Sequence, residues 1–163
     1  MKKLFLTVFL FFTICSFANA TDWHVPVPNT TIQSAITAAS ANDNIIIDSN
    51  INSGIINNIT TMLNFTSLNA LSPSTITMDA ARRFYFTTTS TGSTMSDLIF
   101  QNAAGNASGG AVYNNGITLT ISDSTFNSNR ANQTTTGTTT AWVYGGAIYS
   151  AGGNTIAQKP EEN

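Results

Sequence analysis

An internal repeat constrains this chain more than any other feature. Met95-Ser96-Asp97-Leu98-Ile99-Phe100 returns twenty-six residues on as Ile121-Ser122-Asp123-Ser124-Thr125-Phe126. Gly109-Gly110-Ala111-Val112-Tyr113 returns thirty-six residues on as Gly145-Gly146-Ala147-Ile148-Tyr149. The ten-residue difference falls between Asn132 and Val143, where the tract Thr134-Thr135-Thr136-Gly137-Thr138-Thr139-Thr140 interrupts the pattern and reads as a loop extruded from one unit. Periods of about twenty to thirty residues with short β-forming segments specify stacked units, each burying its inward side chains only against its neighbours.

The segments themselves are Ile51 to Ile59, Met62 to Leu68, Thr75 to Met78, Phe84 to Thr88, Met95 to Phe100, Val112 to Tyr113, Ile117 to Ile121 and Ala147 to Tyr149. Each is bounded by Asn, Gly, Ser or Asp, the residues that turn a strand. Strands this short suit a sandwich or a β-solenoid, and the repeat decides for the solenoid: an all-β, right-handed parallel β-helix. One segment differs. Over Thr31 to Ser40, Ile32, Ala35, Ile36 and Ala39 share a face at helical spacing, with Thr30 or Thr31 to cap the start. Asn42-Asp43-Asn44 breaks that helix, and Ile45-Ile46-Ile47 reads as a strand buried on both sides. A helix laid across the first apolar layer would cap the stack, although a strand and helix of a small α+β domain share this pattern.

Successive strands of a parallel stack lie about 4.8 Å apart, so equivalent side chains sit directly over one another. Gly109-Gly110 and Gly145-Gly146 are therefore expected to supply the dihedrals of a sharp corner, with Ala111 and Ala147 where the interior is tight. Val112 and Ile148 point inward with Phe100 and Phe126, while Tyr113 and Tyr149 stack outside, or inside if the register slips by one residue. Asn102, Asn127, Asn129 and Asn132 fall at expected turns, where Asn tolerates the left-handed region and its amide can bond to adjacent units.

The first twenty residues stand apart. Lys2 and Lys3 precede an apolar run from Leu4 to Phe17 that ends in Ala18-Asn19-Ala20, the pattern of an exported leader cleaved after a small residue. An uncleaved anchor is the alternative, but the run is short for a span, and no second apolar stretch follows. Ile14 before Cys15 argues against lipid attachment at the cysteine. Cleavage removes the single Cys, so the mature chain relies on burial and backbone hydrogen bonding in an oxidising compartment. Its remaining charges are four basic residues (Arg82, Arg83, Arg130, Lys159) against eight acidic ones (Asp22, Asp43, Asp48, Asp79, Asp97, Asp123, Glu161, Glu162), a net charge of −4. That excludes nucleic acid and anionic membrane as natural partners. Abundant Thr, Asn, Ser and Gly could also mark a disordered stalk, against which the β-branched runs argue.

The expected organisation is a leader at 1–20, a cap at 21–48, stacked coils at 49–158 with a Thr-rich loop at 133–143, and a polar tail at 159–163. Gly109-Gly110-Ala111-Val112, Gly145-Gly146-Ala147-Ile148 and Phe126-Asn127-Ser128-Asn129 resemble the Gly-Gly-Ala-aliphatic and Phe-x-x-Asn motifs of the chlamydial polymorphic outer membrane proteins. Adhesin-like repeat proteins are similar, and Thr31 to Ile36 with Ile45-Ile46-Ile47 looks like the capping start of pectate-lyase-like β-helices. The resemblance covers residues 95 to 150 well and the rest loosely. It implies an exported adhesin or autotransporter passenger at the cell surface or outer membrane, with a role in virulence. Family members are longer and end in a membrane β-barrel, so the expectation here is a partial member or a small secreted relative.

The same fold houses polysaccharide lyases and hydrolases, which makes a carbohydrate-active enzyme the rival class. Its residues would be Asp79 with Arg82 and Arg83, or the equivalent pair Asp97 and Asp123, which stacking brings within a coil spacing of each other and which could hold Ca²⁺. Solvated charges and Asp-capped turns explain the same residues more simply. His24, the only histidine, lies beside Trp23 in a lead-in strand, far in sequence from any carboxylate pair. No nucleophile-elbow, zinc-helix or phosphate-cradling motif occurs. Asn29, Asn58, Asn64, Asn106 and Asn132 begin Asn-x-Ser/Thr triplets, which matter only in a glycosylating host. The reading is thus non-catalytic, with no cofactor and no metal, a cell-surface protein or glycan as partner, no membrane span after the leader, and end-to-end self-association through an unpaired last coil. An exported chain that begins at Thr21 and titrates with no thiol reagent is the expected outcome; N-terminal mass spectrometry showing Cys15 retained would refute it.

Overall fold

A computed structural model describes residues 19–26, 31–52, 58–78, 84–105, 108–131, 135–136, 139–140 and 145–158. The leader through Ala18, the Asp79–Arg83 cluster, Asn29, Asn106, Asn132, most of the Thr-rich tract and the polar tail lie outside the described residues.

The fold is all-β, built mainly of parallel sheets with one α-helix. It opens with β1 (Asp22–Val25), α1 (Ile32–Ala38) and β2 (Asn44–Ile47). Short strands β3 (Ile51–Asn52) and β4 (Asn58–Ile59) follow. From there the chain repeats a three-step circuit: β5 (Asn64–Ser67), β6 (Ser74–Thr77), β7 (Phe84–Phe86), then a 3₁₀ turn at Thr88–Ser90. The next circuit is β8 (Thr94–Ser96), β9 (Leu98–Gln101), β10 (Ala104–Gly105) and β11 (Val112–Asn114). The last runs through β12 (Leu119–Ser122), β13 (Thr125–Asn127), β14 (Arg130–Ala131), the pair β15 (Thr135–Thr136) and β16 (Thr139–Thr140), then β17 (Ile148–Ser150) and β18 (Thr155–Gln158).

Each circuit adds one strand to each of three sheets. Their orders are β1-β2-β5-β8-β12-β18, β3-β6-β9-β13 and β4-β7-β11-β17, with every pair parallel. The repeats coincide with the pairing register. Met95 lies opposite Ile121, Phe100 opposite Phe126, Val112 opposite Ile148 and Tyr113 opposite Tyr149. β15 and β16 pair antiparallel with each other and join none of the three sheets.

Alternation along each strand sends one column of side chains inward from each sheet. Ile45, Phe65, Met95 and Ile121 form such a column in the first sheet, Ile76 and Phe100 in the second, and Ile59, Phe86, Phe84 and Val112 contribute from the third; all belong to one buried cluster. Phe65 packs edge-on to Phe84 at 5.4 Å and Phe84 to Phe100 at 5.5 Å, while Phe100 and Phe126 stack nearly flat at 4.9 Å. Polar groups enter this core only when paired. Ser67 and Ser74 join hydroxyls at 3.0 Å, and the Asn114 amide donates to the Ile117 carbonyl at 2.9 Å. Among the described residues no buried side-chain polar atom lacks a partner, as an interior of low dielectric requires.

Four local expectations change. Met95 to Phe100 is not one strand: Asp97 takes a left-handed φ of 54° and turns the chain from the first sheet into the second, and Asp123 does the same at 49° one circuit on. Ile45-Ile46-Ile47 is buried on one side only, because Ile46 faces outward between His24 and Thr66. Asn127 belongs to β13, and the left-handed corner falls on Ser128, opposite Asn102 in the circuit below. The glycines of each pair also differ. Gly109 and Gly145 have φ of +72° and +63°, which favour glycine, whereas Gly110 and Gly146 do not lie in that region.

Gly110 has a different reason to be glycine. A Cβ there would stand 2.4 Å from the Gly146 carbonyl oxygen and 2.5 Å from that of Arg130, both backbone atoms fixed by the next circuit. At Gly146 the nearest such atom, the Asn129 carbonyl oxygen, is 3.5 Å away. Gly110→Ala should therefore destabilise the fold by about 2 kcal/mol and Gly146→Ala by no more than about 0.5 kcal/mol. Urea unfolding checks this contrast; equal midpoints for the two variants would contradict it.

Candidate functional site

The sequence-derived candidates separate once their places are known. Asp97 and Asp123 occupy equivalent corners, Asp97 partly buried and Asp123 exposed, and their backbone amides donate to Ser122 and Gln158 of the next strand in the first sheet. Both serve as corner residues, since Asp is among the few side chains that tolerate this φ. Among the described residues no three His, Cys, Asp or Glu stand close enough to hold a metal ion. His24, far in sequence from any carboxylate pair, lies on β1 with Nδ1 2.7 Å from a single carboxylate, Asp48 Oδ1. A sequence separation of twenty-four residues hid that contact.

Asn129 does bond to the circuit below. Its Nδ2 donates to the Phe100 carbonyl at 2.8 Å and its Oδ1 accepts from the Ala103 amide at 3.0 Å. The equivalent position one circuit down is Ala103, which has no amide to offer, so the single Asn stitches both corners. This residue is structural. Of the Asn-x-Ser/Thr positions, Asn58 is exposed on β4 and Asn64 is part of a bonded ladder.

That ladder lies on the six-stranded first sheet. The outer face of the first sheet carries a column of Asp22, Asn44, Asn64, Thr94 and Thr120 in pairing register. Asn44 Nδ2 donates to Asp22 Oδ1 at 2.7 Å, Asn64 Nδ2 to Asn44 Oδ1 at 3.1 Å, and the Thr94 hydroxyl to Asn64 Oδ1 at 3.0 Å. Beside it runs a second column, His24, Ile46, Thr66, Ser96 and Ser122, in which the Ser96 hydroxyl donates to Thr66 at 3.1 Å. Amides and hydroxyls repeat here at strand spacing. On the third sheet Tyr85, Tyr113 and Tyr149 stand outward in one column, with ring centroids 4.8 Å and 5.2 Å apart.

None of these columns is legible in the sequence in full. Tyr113 and Tyr149 were paired through the Gly-Gly-Ala repeat, but Tyr85 lacks that lead-in, and only the flanking inward Phe84 and Phe86 mark it as the same position. The Asp-Asn-Asn-Thr column has no fixed residue type to repeat. These faces offer ordered hydrogen-bonding and aromatic groups at strand spacing.

At the N-terminal end lies an ionisable group with a clear shift among the described residues. Asp43, between α1 and β2, is buried, and its Oδ1 accepts from the Thr21 amide at 2.8 Å while Oδ2 accepts from Trp23 Nε1 at 3.0 Å and the Ser40 amide at 2.8 Å. The Thr21 amide, then the Trp23 indole and the Ser40 amide, hold the carboxyl below its ordinary value against the opposing effect of desolvation. Thr31 caps α1 in a reciprocal box with Ser34, so both ends of the helix are pinned. No protein-family model, characterised protein or solved structure matches the chain.

A depressed folded-state pKa adds stability that is present above the unfolded carboxylate range and is lost as pH falls through the folded value. The melting temperature should therefore fall as pH drops below about 4, and Asp43→Asn should remove that part of the dependence while lowering stability at neutral pH. Thermal unfolding monitored by Trp fluorescence reports it. An acid limb unchanged in Asp43→Asn would show that other groups carry it.

Proposed function

We propose that the chain is a right-handed parallel β-helix exported for display: an adhesin-like, non-catalytic surface module of the autotransporter-passenger type. The observation that carries this reading is the register-matched addition of one strand per circuit to three sheets, with repeat residues paired to their copies. The right hand follows the general preference of β-crossover-β connections. A stack of this kind holds its outer columns rigid, which fits a surface that meets a partner along its length.

The Gly-Gly-Ala-aliphatic and Phe-x-x-Asn segments support membership of a family similar to the polymorphic outer membrane proteins. Residues 1–20 support export, and the sparse charge supports a cell-surface protein or glycan as the partner in place of nucleic acid. The Thr-rich tract at 133–143 is the natural point of contact, because β15 and β16 form a ribbon of their own apart from the sheets.

Beads coated with the purified chain should retain intact cells or immobilised glycans, and deletion of 133–143 should cut retention several-fold without moving the unfolding midpoint. The same preparation should release no new reducing ends from polysaccharides. Beads that retain nothing would overturn the adhesive role, and saccharide cleavage abolished by Asp97→Ala or Asp123→Ala would replace it with the enzymatic one.

A further inference from the structure

The outer face of the third sheet carries Tyr85, Tyr113 and Tyr149 in pairing register, all three half-buried. The two junctions in this column differ. Tyr85 and Tyr113 lie with ring centroids 4.8 Å apart and planes 10° from parallel, whereas Tyr113 and Tyr149 are 5.2 Å apart and tilted by 51°. The first junction is also locked by what flanks it. Phe84 and Phe86 are buried on either side of Tyr85, Val112 and Asn114 on either side of Tyr113, and register sets Phe84 against Val112 and Phe86 against Asn114. The Phe84 amide donates to the Ala111 carbonyl at 2.8 Å and the Asn115 amide to the Phe86 carbonyl at 3.0 Å. The backbones beneath the two phenols therefore cannot slide or part without dismantling close-packed core.

A pair stacked in this way is poorly arranged to hold a ligand. An aromatic or cationic group takes the face of a ring, and the facing surfaces of Tyr85 and Tyr113 are turned to each other. What the pair does bring together is chemistry of its own: the carbons ortho to two phenolic oxygens, on neighbouring rings, at strand spacing. That juxtaposition is the one that oxidative phenol coupling requires.

The geometry points to Tyr85 and Tyr113 as a site of covalent modification, an intramolecular dityrosine bond that joins β7 to β11. The step needs a one-electron oxidant, here hydrogen peroxide acting through a haem peroxidase. Each phenol gives up one electron and its hydroxyl proton. The two radicals, delocalised onto the ortho carbons, form one carbon–carbon bond, and each ring then passes its ortho hydrogen to its oxygen and becomes a phenol again. Two hydrogens leave the chain in all, and one peroxide is reduced to two waters. Because both rings stand on neighbouring strands of one sheet, the coupling is unimolecular and runs ahead of any encounter between chains. The bond closes a loop of twenty-eight residues between successive circuits. With Cys15 the only cysteine, no disulfide within the chain can do the same.

The test uses the protein expressed from the full 163-residue sequence, with its N-terminus read by mass spectrometry. Dilute protein is treated with hydrogen peroxide and a haem peroxidase, under conditions in which free tyrosine couples. The expected product is a monomer lighter by two hydrogens, with dityrosine fluorescence and a cross-linked peptide pair that carries Tyr85 and Tyr113. Tyr85→Phe and Tyr113→Phe, each checked for unchanged circular dichroism, should lose most of that fluorescence, and Tyr149→Phe should keep it. No coupling in the folded chain, a link that maps instead to Tyr144 or Tyr149, or fluorescence confined to covalent dimers would overturn the assignment. So would an equal yield of the Tyr85–Tyr113 link from protein unfolded in urea, since the fold would then contribute nothing. If a variant misfolds, the peptide map of the wild-type protein, folded against unfolded, decides by itself.

Discussion

Parallel backbone pairing between successive circuits is the constraint from which the rest follows. In a parallel ladder each residue lies over its counterpart one strand away, so a position is repeated and not merely a pattern. Whatever occupies an inward position must therefore pack against its own kind. The chain answers with columns: Ile45, Phe65, Met95 and Ile121 in one sheet, Phe84 and Val112 in another, Phe100 over Phe126 in the third. The same rule acts outside, where Asn stacks on Asn and Tyr on Tyr. It also fixes where glycine is needed, since Gly110 is held by carbonyls of the circuit above it and not by its own dihedral angle.

A stack bonded in this way has satisfied sides and two problematic ends. The first end is closed by an apolar helix face and by a buried carboxylate that collects three N–H donors from Thr21, Trp23 and Ser40. Asp43 thus joins β1 to the helix exit, and its charge is tolerated because the donors replace water. In the last described circuit Phe126 and Ile148 are only partly buried against the core.

Function on such a scaffold lies outside the core. The outer columns hold mostly amides, hydroxyls and phenols at strand spacing, with Asp22 and His24 at their first strand. Asp97 and Asp123, one of the two acidic candidate sites, are the pivots by which the chain leaves one sheet for the next. Their backbone angle explains their identity. The display role proposed above would need a rigid outer surface, and the ladder that builds the core also holds the outer columns in register.

Much of the fold was legible because a repeat in sequence becomes a register in space. The offsets at Phe100 and Phe126 and at Val112 and Ile148 reappear as paired residues, and the spacing of Ile32, Ala35 and Ile36 reappears as a capped, half-buried helix. Where copies had diverged, the signal failed. Tyr85 lacks the glycines that introduce Tyr113, and Asp22, Asn44, Asn64 and Thr94 share polarity but no residue type. Strand breaks at Asp97 and Asp123 were missed because one residue in a left-handed conformation leaves the β-forming run on either side intact. The sequence by itself determined that Phe126 lies over Phe100 and Ile148 over Val112, since a repeated segment in a parallel ladder takes a repeated place. Only the tertiary structure decided which distant groups meet, such as Asp43 with Trp23 and His24 with Asp48, because those contacts depend on how the first strand is laid against the second and leave no interval to count.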